Sequence, residues 1–236
     1  MKNLFILFFC FITLNLSGQQ WIDIGIKYGA GTNWLLNKNL LQDTENDYLF
    51  SFGHSYGAKF GYNFGQNVQF TLDFMHSNFN QKYAFIDSLI GNFNHQISYK
   101  TNDIAFLFRY NRSGNYFEFG PQWSKVNSVI AENSFGFQEH DELIIDSYYS
   151  LIAGFGAYFI GTDNLALSLG VRCAYGLSDI ISEENLGQSS YPTNHISYNE
   201  YKPTNPLSIY FVMELNYDLG YLAKGNCAER IKFYSF

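Results

Sequence analysis

The sequence predicts an all-β fold: an eight-stranded antiparallel up-and-down barrel that spans a membrane, with long extracellular loops and short periplasmic turns. Segments of strand length alternate between apolar and polar residues. The links between these segments alternate between short and long. The 236 residues include 24 Phe and 19 Tyr but only 15% charged residues, against about 25% in an average soluble domain. No apolar run reaches the roughly 18 residues of a membrane-spanning helix.

The first 18 residues have the pattern of a secretory signal peptide. Lys2 supplies the positive charge, residues 4–16 form a short apolar core, and the small residues 17–18 precede the cleavage point. The core is short for a span across a bilayer, and a short hydrophobic anchor is the alternative. The predicted organisation is a signal peptide over 1–18, a barrel over 19–221 and a periplasmic tail over 222–236.

Eight segments have strand periodicity, each with a bulky apolar face and a more polar face. They span about 21–34, 54–64, 68–78, 97–110, 116–125, 147–160, 165–176 and 207–221. In chain order, their apolar faces include Ile26, Phe60, Phe70, Phe106, Phe119, Phe155, Leu169 and Met213. The short links are 65–67, 111–115 and 161–164, rich in the Gly and Asn that hairpin turns require. The long polar links are about 35–53, 79–96, 126–146 and 177–206.

The polar faces carry ionic residues that we expect to meet inside the barrel. These are Lys59, Asp73, Arg109, Glu118, Arg172 and Glu214. An eight-stranded barrel is just wide enough to be filled by side chains, and buried charges require partners. A soluble barrel with this outer face would expose too much apolar surface, whereas lipid would cover it. We therefore expect an ionic network that fills the bore. The alternatives are a charged pore or proton path and, for the fold, a soluble ligand-carrying barrel.

Aromatic residues gather towards both ends of the predicted strands, as in the interfacial girdles of membrane barrels. Tyr62, Phe64, Tyr116, Phe159 and Tyr217 lie towards the short turns, and Trp34, Trp123, Tyr149 and Tyr175 lie towards the long loops. The expected location is the outer membrane of a Gram-negative cell, with both termini periplasmic and with outer-membrane lipids or lipopolysaccharide as neighbours. The net charge of −7 argues against a nucleic-acid partner.

The long links are acidic, yet they also contain large apolar residues. Candidates for contact with a partner protein are Tyr48, Phe50, Phe85, Phe93, Phe135 and Phe137. Such residues either pack together or pack against a partner. The sequence has no metal-ligand spacing and no phosphate-binding glycine loop, so no metal or cofactor is expected.

One motif raises the possibility of catalysis. The stretch "FMHSNF" places His76 beside Ser77 and resembles the His-x-Ser-Asn signature of lipid A deacylases. A His–Ser dyad on a strand needs both side chains on one face, hence a spacing of two residues. Adjacent residues point to opposite faces, so a non-enzymatic barrel is favoured, and a lipid A-modifying hydrolase is the alternative.

Three stretches carry a resemblance that covers the whole mature chain: "GAKFGYNFGQNVQFTLDF", "GFGAYFIGTDNLALSLGVRCAYGLSDI" and the tail "LGYLAKGNCAERIKFYSF". The chain resembles the small outer-membrane β-barrel proteins of Bacteroidota, a group that includes PorT-like barrels. The resemblance implies fold and location, and some members are accessory parts of secretion and membrane-assembly machines. The expected function is a non-enzymatic accessory or docking subunit of an outer-membrane complex for secretion, protein assembly or uptake. A free-standing structural or adhesin barrel is a further alternative.

Overall fold

The computed structural model describes residues 20–223, apart from 88–90, 134–135, 140–142, 163, 184–191 and 193–197. The predicted signal peptide over 1–18 lies outside the described residues. Of the predicted tail, only residues 222 and 223 are described, and they continue the last strand. The proposed division of the chain into signal peptide, barrel and tail therefore stays a prediction.

The described part of the chain consists mainly of strands. In chain order the elements are β1 (Gln20–Asn37), α1 (Lys38–Gln42), β2 (Asn46–Leu49), β3 (Phe52–Phe64), β4 (Val68–Asp87), β5 (Gly91–Arg112), β6 (Asn115–Asn133), β7 (Gly136–Glu139), β8 (Ser147–Gly161), β9 (Leu165–Gly176) and β10 (Thr204–Ala223). Within the described residues, no helix is long and apolar enough to cross a membrane.

Eight of these strands close into an antiparallel barrel. The hydrogen-bonded order is β1–β3–β4–β5–β6–β8–β9–β10, and β10 pairs again with β1. The closing ladder between β1 and β10 runs from Gln20↔Ala223 to Asn37↔Thr204. In the part of the chain that the structure describes, each of the eight strands is paired on both sides, which is the condition for strands to cross lipid. The short strands β2 and β7 extend the wall at the loop end by pairing with β4 and β6.

The two faces of the barrel wall differ sharply in chemistry. Large apolar side chains cover the outside, including Ile26, Phe106, Phe155 and Phe211, the last of which is 73% exposed. Charged and amide side chains point into the bore, where Arg109 is fully buried. This arrangement is the reverse of a soluble protein and fits a wall that faces hydrocarbon.

The polarity of the two faces inverts towards the loop end of the barrel. On β4, Asp73 points inward and Phe74 outward, but further along Phe79 and Tyr83 point inward and are buried, while Lys82 is exposed. The same strand therefore has a membrane-like segment followed by a segment with an ordinary apolar interior. We take this inversion as the loop-side limit of the apolar band.

The hairpin of β4 and β5 is longer than the sequence predicts. We expected a polar link over residues 79–96, but β4 continues to Asp87 and β5 begins at Gly91. The expectation of a loop was wrong for most of this stretch. Beyond the apolar band, the strand places apolar residues on its inward face and polar residues on its outward face, so it lacks the outward apolar residues by which the other strands were recognised.

The ion-paired bore as the candidate functional site

Eight ionic side chains from seven of the barrel strands meet in the bore. The basic members are Lys27, Lys59, Arg109 and Arg172, and the acidic members are Asp23, Asp73, Glu118 and Glu214. Arg172 is the most exposed of them, at 7%. We call this group the ionic layer. Its four positive and four negative formal charges cancel, so a neutral set of charges is buried rather than a net charge.

Glu214 is the hub of the ionic layer. Its carboxylate accepts from Lys59 Nζ at 2.8 Å, and Lys27 Nζ lies 3.0 Å from its Oε2 atom. Arg109 donates to it through both terminal nitrogens, each at 2.8 Å. Asn216 donates a further hydrogen bond from Nδ2 at 2.6 Å. Three cations and an amide therefore surround one carboxylate, and the paired contact with Arg109 fixes its orientation.

The remaining acids link the cations into a continuous network. Glu118 accepts from Arg109 Nη2 and from Arg172 Nε, both at 2.8 Å. Asp73 accepts from Arg172 Nη2 at 2.9 Å and from Lys27 Nζ at 2.6 Å. Each of these three cations contacts two carboxylates, so removal of one acid leaves several cations short of a partner.

Asp23 connects the ionic layer to the amides nearest the short turns. Lys59 Nζ lies 2.9 Å from its Oδ1 atom, and Asn63 and Gln69 donate to its Oδ2 atom at 2.6 and 2.5 Å. A Cβ atom at Gly61 would lie only 2.5 Å from this carboxylate. Glycine on the inward face thus leaves the volume that long ionic side chains need.

Tyr116 completes the packing around Arg109. The Arg109 guanidinium lies 4.1 Å from the centre of the Tyr116 ring, a cation–π contact, and Tyr116 is 5% exposed. The prediction of Tyr116 as part of a girdle at the membrane interface was wrong. Tyr116 lies two positions before the inward-facing Glu118, so alternation places both on the bore side.

An apolar plug fills the loop-end half of the bore. Its buried members are Leu35, Leu40, Phe79, Tyr83, Phe85, Ile97, Tyr99, Val129, Ala131, Leu143, Ile144, Tyr148, Ile180, Ile181, Tyr210 and Val212. They come from the barrel strands and from the segments that link β1 to β3, β6 to β8 and β9 to β10. The bore is therefore occupied by charge pairs near its middle and by apolar side chains towards the loops.

Polar contacts hold the link between β1 and β3 over this plug. Tyr48 donates from its hydroxyl to the Leu35 carbonyl at 3.0 Å and accepts from the Asn37 amide at 3.1 Å. Burial raises the pKa of Tyr48 to about 12. Asp43 accepts from Tyr198 at 2.8 Å, which joins this link to the one before β10.

A second carboxylate fixes the link between β9 and β10. Asp179 accepts from the backbone amides of Ile181 and Thr204 at 3.1 and 3.0 Å, and from the Tyr201 hydroxyl. Burial and this hydrogen bond raise the pKa of Tyr201. Long connections are thus tied to the barrel by specific hydrogen bonds rather than left as free chain.

The candidate partner-binding residues differ in how far their side chains are exposed. Phe85 is 2% exposed inside the plug, and Tyr48 packs edge-on against Tyr83 with ring centres 5.2 Å apart. Phe85 therefore packs within the plug, the first of the two expected arrangements, and its side chain is not available to a partner. Tyr48 is half-buried against the plug, and its contact with a partner stays a prediction. Phe50 is 72% exposed and remains available. The predictions for Phe93, Phe135 and Phe137 concern side chains outside the described part of the structure.

His76 and Ser77 lie on opposite sides of the barrel wall. His76 bonds through Nδ1 to Asn102 Oδ1 at 2.9 Å on the exposed side, whereas Ser77 is buried and donates to Asp103 at 2.5 Å. The wall therefore separates the imidazole from the hydroxyl, and the two cannot act as a nucleophile–base pair. Among the described residues, no three His, Cys, Asp or Glu side chains are grouped to hold a metal ion.

The sequence prediction of the ionic layer omits two members. Lys27 and Asp23 lie on β1, on the same polar face as Gly25. Lys27 is directly opposite Glu214 in the β1–β10 ladder. The signal that could find them is alternation along the first strand, combined with the need for each buried acid to meet a cation.

The filled bore predicts how the barrel behaves in a conductance measurement. We expect the purified protein in planar lipid bilayers to give no stepwise conductance, because charge pairs and the apolar plug occupy the path. The same preparation after heat denaturation sets the background. Reproducible unit steps from the folded protein would contradict the sealed bore and would favour the charged-pore alternative.

Comparisons with known proteins identify no family. No protein-family model and no curated protein matches the chain. The chain is similar in structure to the outer membrane protein OprG from Pseudomonas aeruginosa, with 11% identity, 86% of this chain and 99% of that chain covered, and a TM-score of 0.44. It is similar to Neisserial surface protein A, NspA, with 9% identity, coverage of 83% and 96%, and a TM-score of 0.41.

A third solved structure is the outer membrane protein AlkL in DMPC lipid bilayers. It has 11% identity with this chain, covers 88% of this chain and 93% of its own, and gives a TM-score of 0.39. All three are outer-membrane barrel proteins, but likenesses at these values carry nothing about activity. Independently of them, the closed strand order and the opposite chemistry of the two faces define the fold: an antiparallel barrel of eight strands with a filled bore.

Proposed function

We propose that this barrel resides in a bacterial outer membrane and acts as a non-enzymatic docking subunit of a larger outer-membrane assembly. The observation that carries the proposal is the filled bore. Because the ionic layer and the apolar plug occupy the interior of the barrel, the surfaces left to bind a partner are its outer wall, its loops and its ends. The proposal includes short turns and termini on the periplasmic side.

The exposed apolar residues of the link between β1 and β3 are the part of the loop surface that best suits a protein partner. Leu41 is 60% exposed and Phe50 is 72% exposed. They belong to a link that Tyr48 and Asp43 tie to the rest of the barrel. A fixed segment that presents apolar side chains loses little conformational entropy on binding, which favours a docking role.

The test is purification of the tagged protein from detergent-solubilised outer membranes, followed by mass spectrometry of what accompanies it. We expect a partner at about stoichiometric yield. The double variant Leu41→Ser with Phe50→Ser should lose it, because two exposed apolar anchors disappear. The control variant Lys38→Ser with Glu45→Ser changes two exposed polar residues of the same link and should retain it.

Two outcomes would favour the alternatives. If the wild-type protein purifies alone, a free-standing structural or adhesin barrel fits better. A lipid A mass shift in a deletion strain, restored by the wild type but not by His76→Ala, would favour the hydrolase.

The resemblance to the PorT-like barrels of Bacteroidota stays a prediction, and it is compatible with the docking role.

A further inference from the structure

The outer wall of the barrel contains an apolar groove with a volume of about 610 Å³. It crosses β1, β10, β9 and β8 and ends at Asn115, the first residue of β6. Asn115 lies beside the short hairpin turn between β5 and β6. This end of the groove is therefore near the end of the barrel that carries the short turns, which we call the short-turn rim. The groove belongs to the wall itself and does not enter the bore.

Two parallel rows of side chains form the sides of the groove. One row follows a line of cross-strand neighbours: Tyr28, Met213, Leu169, Ala157 and Asn115. The second row lies two residues from the first on each of four strands, and it contains Ala30, Phe211, Val171 and Phe155. Because the first row crosses five strands at about 4.8 Å per step, the groove is about 19 Å long.

The floor of the groove is backbone between the two rows. Gly156, Gly170 and Val212 also line it, although their positions have the opposite parity and belong to the inward face. The short side chains of Ala157 and Ala30 rise little above the backbone near the two ends of the groove. Phe155 and Phe211 project from the wall and are 64% and 73% exposed. The result is a long, narrow and apolar channel that is open to the surrounding medium.

The rim end of the groove carries an uncompensated positive charge. Arg112 is the direct cross-strand partner of Asn115 in the β5–β6 hairpin, and both residues are exposed. Among the described residues, Arg112 has no carboxylate within ion-pair distance. A narrow apolar channel that ends at Asn115, with Arg112 opposite that residue across the hairpin, matches an amphipathic ligand with a phosphate at its polar end.

We propose that the groove binds one glycerophospholipid, with an acyl chain between the two rows and the phosphate at Arg112. The inference rests on the proposed membrane location, in which the short-turn rim faces the periplasmic leaflet. A second copy of the barrel is a poorer occupant, because the projecting Phe155 and Phe211 side chains would keep two walls apart.

Native mass spectrometry of the protein in dodecyl maltoside, titrated with palmitoyl-oleoyl phosphatidylglycerol, tests the proposal. We expect one retained lipid per barrel. Palmitoyl-oleoyl glycerol, which has the same chains but no phosphate, should be retained about tenfold less, the effect of losing one charge-assisted contact. Arg112→Gln should weaken phosphatidylglycerol retention by the same factor of about ten.

Variants of the wall separate the groove from general lipid contact. Ala157→Phe fills the channel and should abolish specific retention, whereas Ala58→Phe, an exposed outward position on β3, should leave it unchanged. Equal effects of the two variants, or equal retention of the two lipids, would overturn the proposal. Dimers that form in the wild type and disappear in Ala157→Phe would assign the groove to a second copy instead.

The proposed membrane location has its own readout. Heat-modifiable gel mobility in detergent reports whether each variant folds as a barrel, independently of any bound lipid. A wild-type protein that never folds in detergent or lipid would remove the membrane location. A folded barrel that retains no lipid would remove only the lipid site.

Discussion

Replacing Glu214 with glutamine is expected to lower the free energy of unfolding by about 3–5 kcal/mol, the usual cost of breaking a buried ion pair from one side. Glutamine has nearly the same size as glutamate, so no cavity forms. The substitution removes the one negative charge that Lys27, Lys59 and Arg109 share. The ionic layer then contains four cations and three acids, and the layer is left with a net positive charge.

Urea unfolding in detergent micelles, followed by tryptophan fluorescence and heat-modifiable mobility, measures this effect. The control is Glu200→Gln, which breaks a 2.7 Å ion pair between Glu200 and Lys202 on the surface. An exposed pair contributes about 0–1 kcal/mol, so the control should unfold almost as the wild type does. A Glu214→Gln variant as stable as this control would show that the charges of the bore contribute little.

A second substitution tests whether charge balance is the cause. Lys27→Met in the Glu214→Gln background removes one cation and restores equal numbers of positive and negative charges. We expect the double variant to lose less stability than the sum of the two single variants, by about 0.5–3 kcal/mol. Strict additivity would contradict the coupling, because residues of one network should not act independently.

Alternation along the strands is enough to assign residues to the two faces of the wall. It assigns Arg109 and Glu214 to the polar face and Phe211 to the apolar face, because a strand sends successive side chains to opposite sides. The same alternation also corrects the prediction for Tyr116, because Tyr116 and Glu118 are two positions apart and therefore lie on the same face. The closed eight-stranded barrel follows from the same pattern together with the alternation of short and long links.

Contacts between strands that are distant in sequence could not be derived in this way. The bond from Lys27 to Asp73 joins residues 46 positions apart on strands that are not neighbours in the barrel. Which inward residues meet across the bore depends on strand tilt and stagger, and a single sequence does not specify these quantities. Alternation therefore gives the face of each residue but not its partner.

The strand residues of the apolar plug escaped prediction for a different reason, although packing of loop residues such as Phe85 against one another was one of the two expectations. Phe79, Tyr83 and Phe85 point inward and are buried beyond the apolar band, while Asn80 and Lys82 lie on the outward face of the same stretch. A search for outward apolar residues misses such a segment and describes it as a loop. The inversion of polarity along one strand, rather than the amount of apolar residue in it, marks where the barrel leaves the lipid.

Phe79→Ala should show whether the plug and the membrane barrel unfold together. Phe79 is 4% exposed, its ring stacks on Tyr99 with centres 4.9 Å apart, and Tyr210 lies 6.0 Å away. Truncation of such a core phenylalanine leaves a cavity and is expected to cost about 3–5 kcal/mol. The measurement is the same urea unfolding, with limited proteolysis of the loop end as a second readout.

The matched control is Phe50→Ala, because Phe50 is 72% exposed and should change stability by no more than about 0.5 kcal/mol. If Phe79→Ala lowers the unfolding midpoint of the whole barrel, the plug and the ionic layer belong to one cooperative unit. If proteolysis accelerates while the barrel unfolds at the wild-type midpoint, the plug opens on its own. In that case the loop end would be a movable cap over a barrel that the ionic layer alone keeps closed.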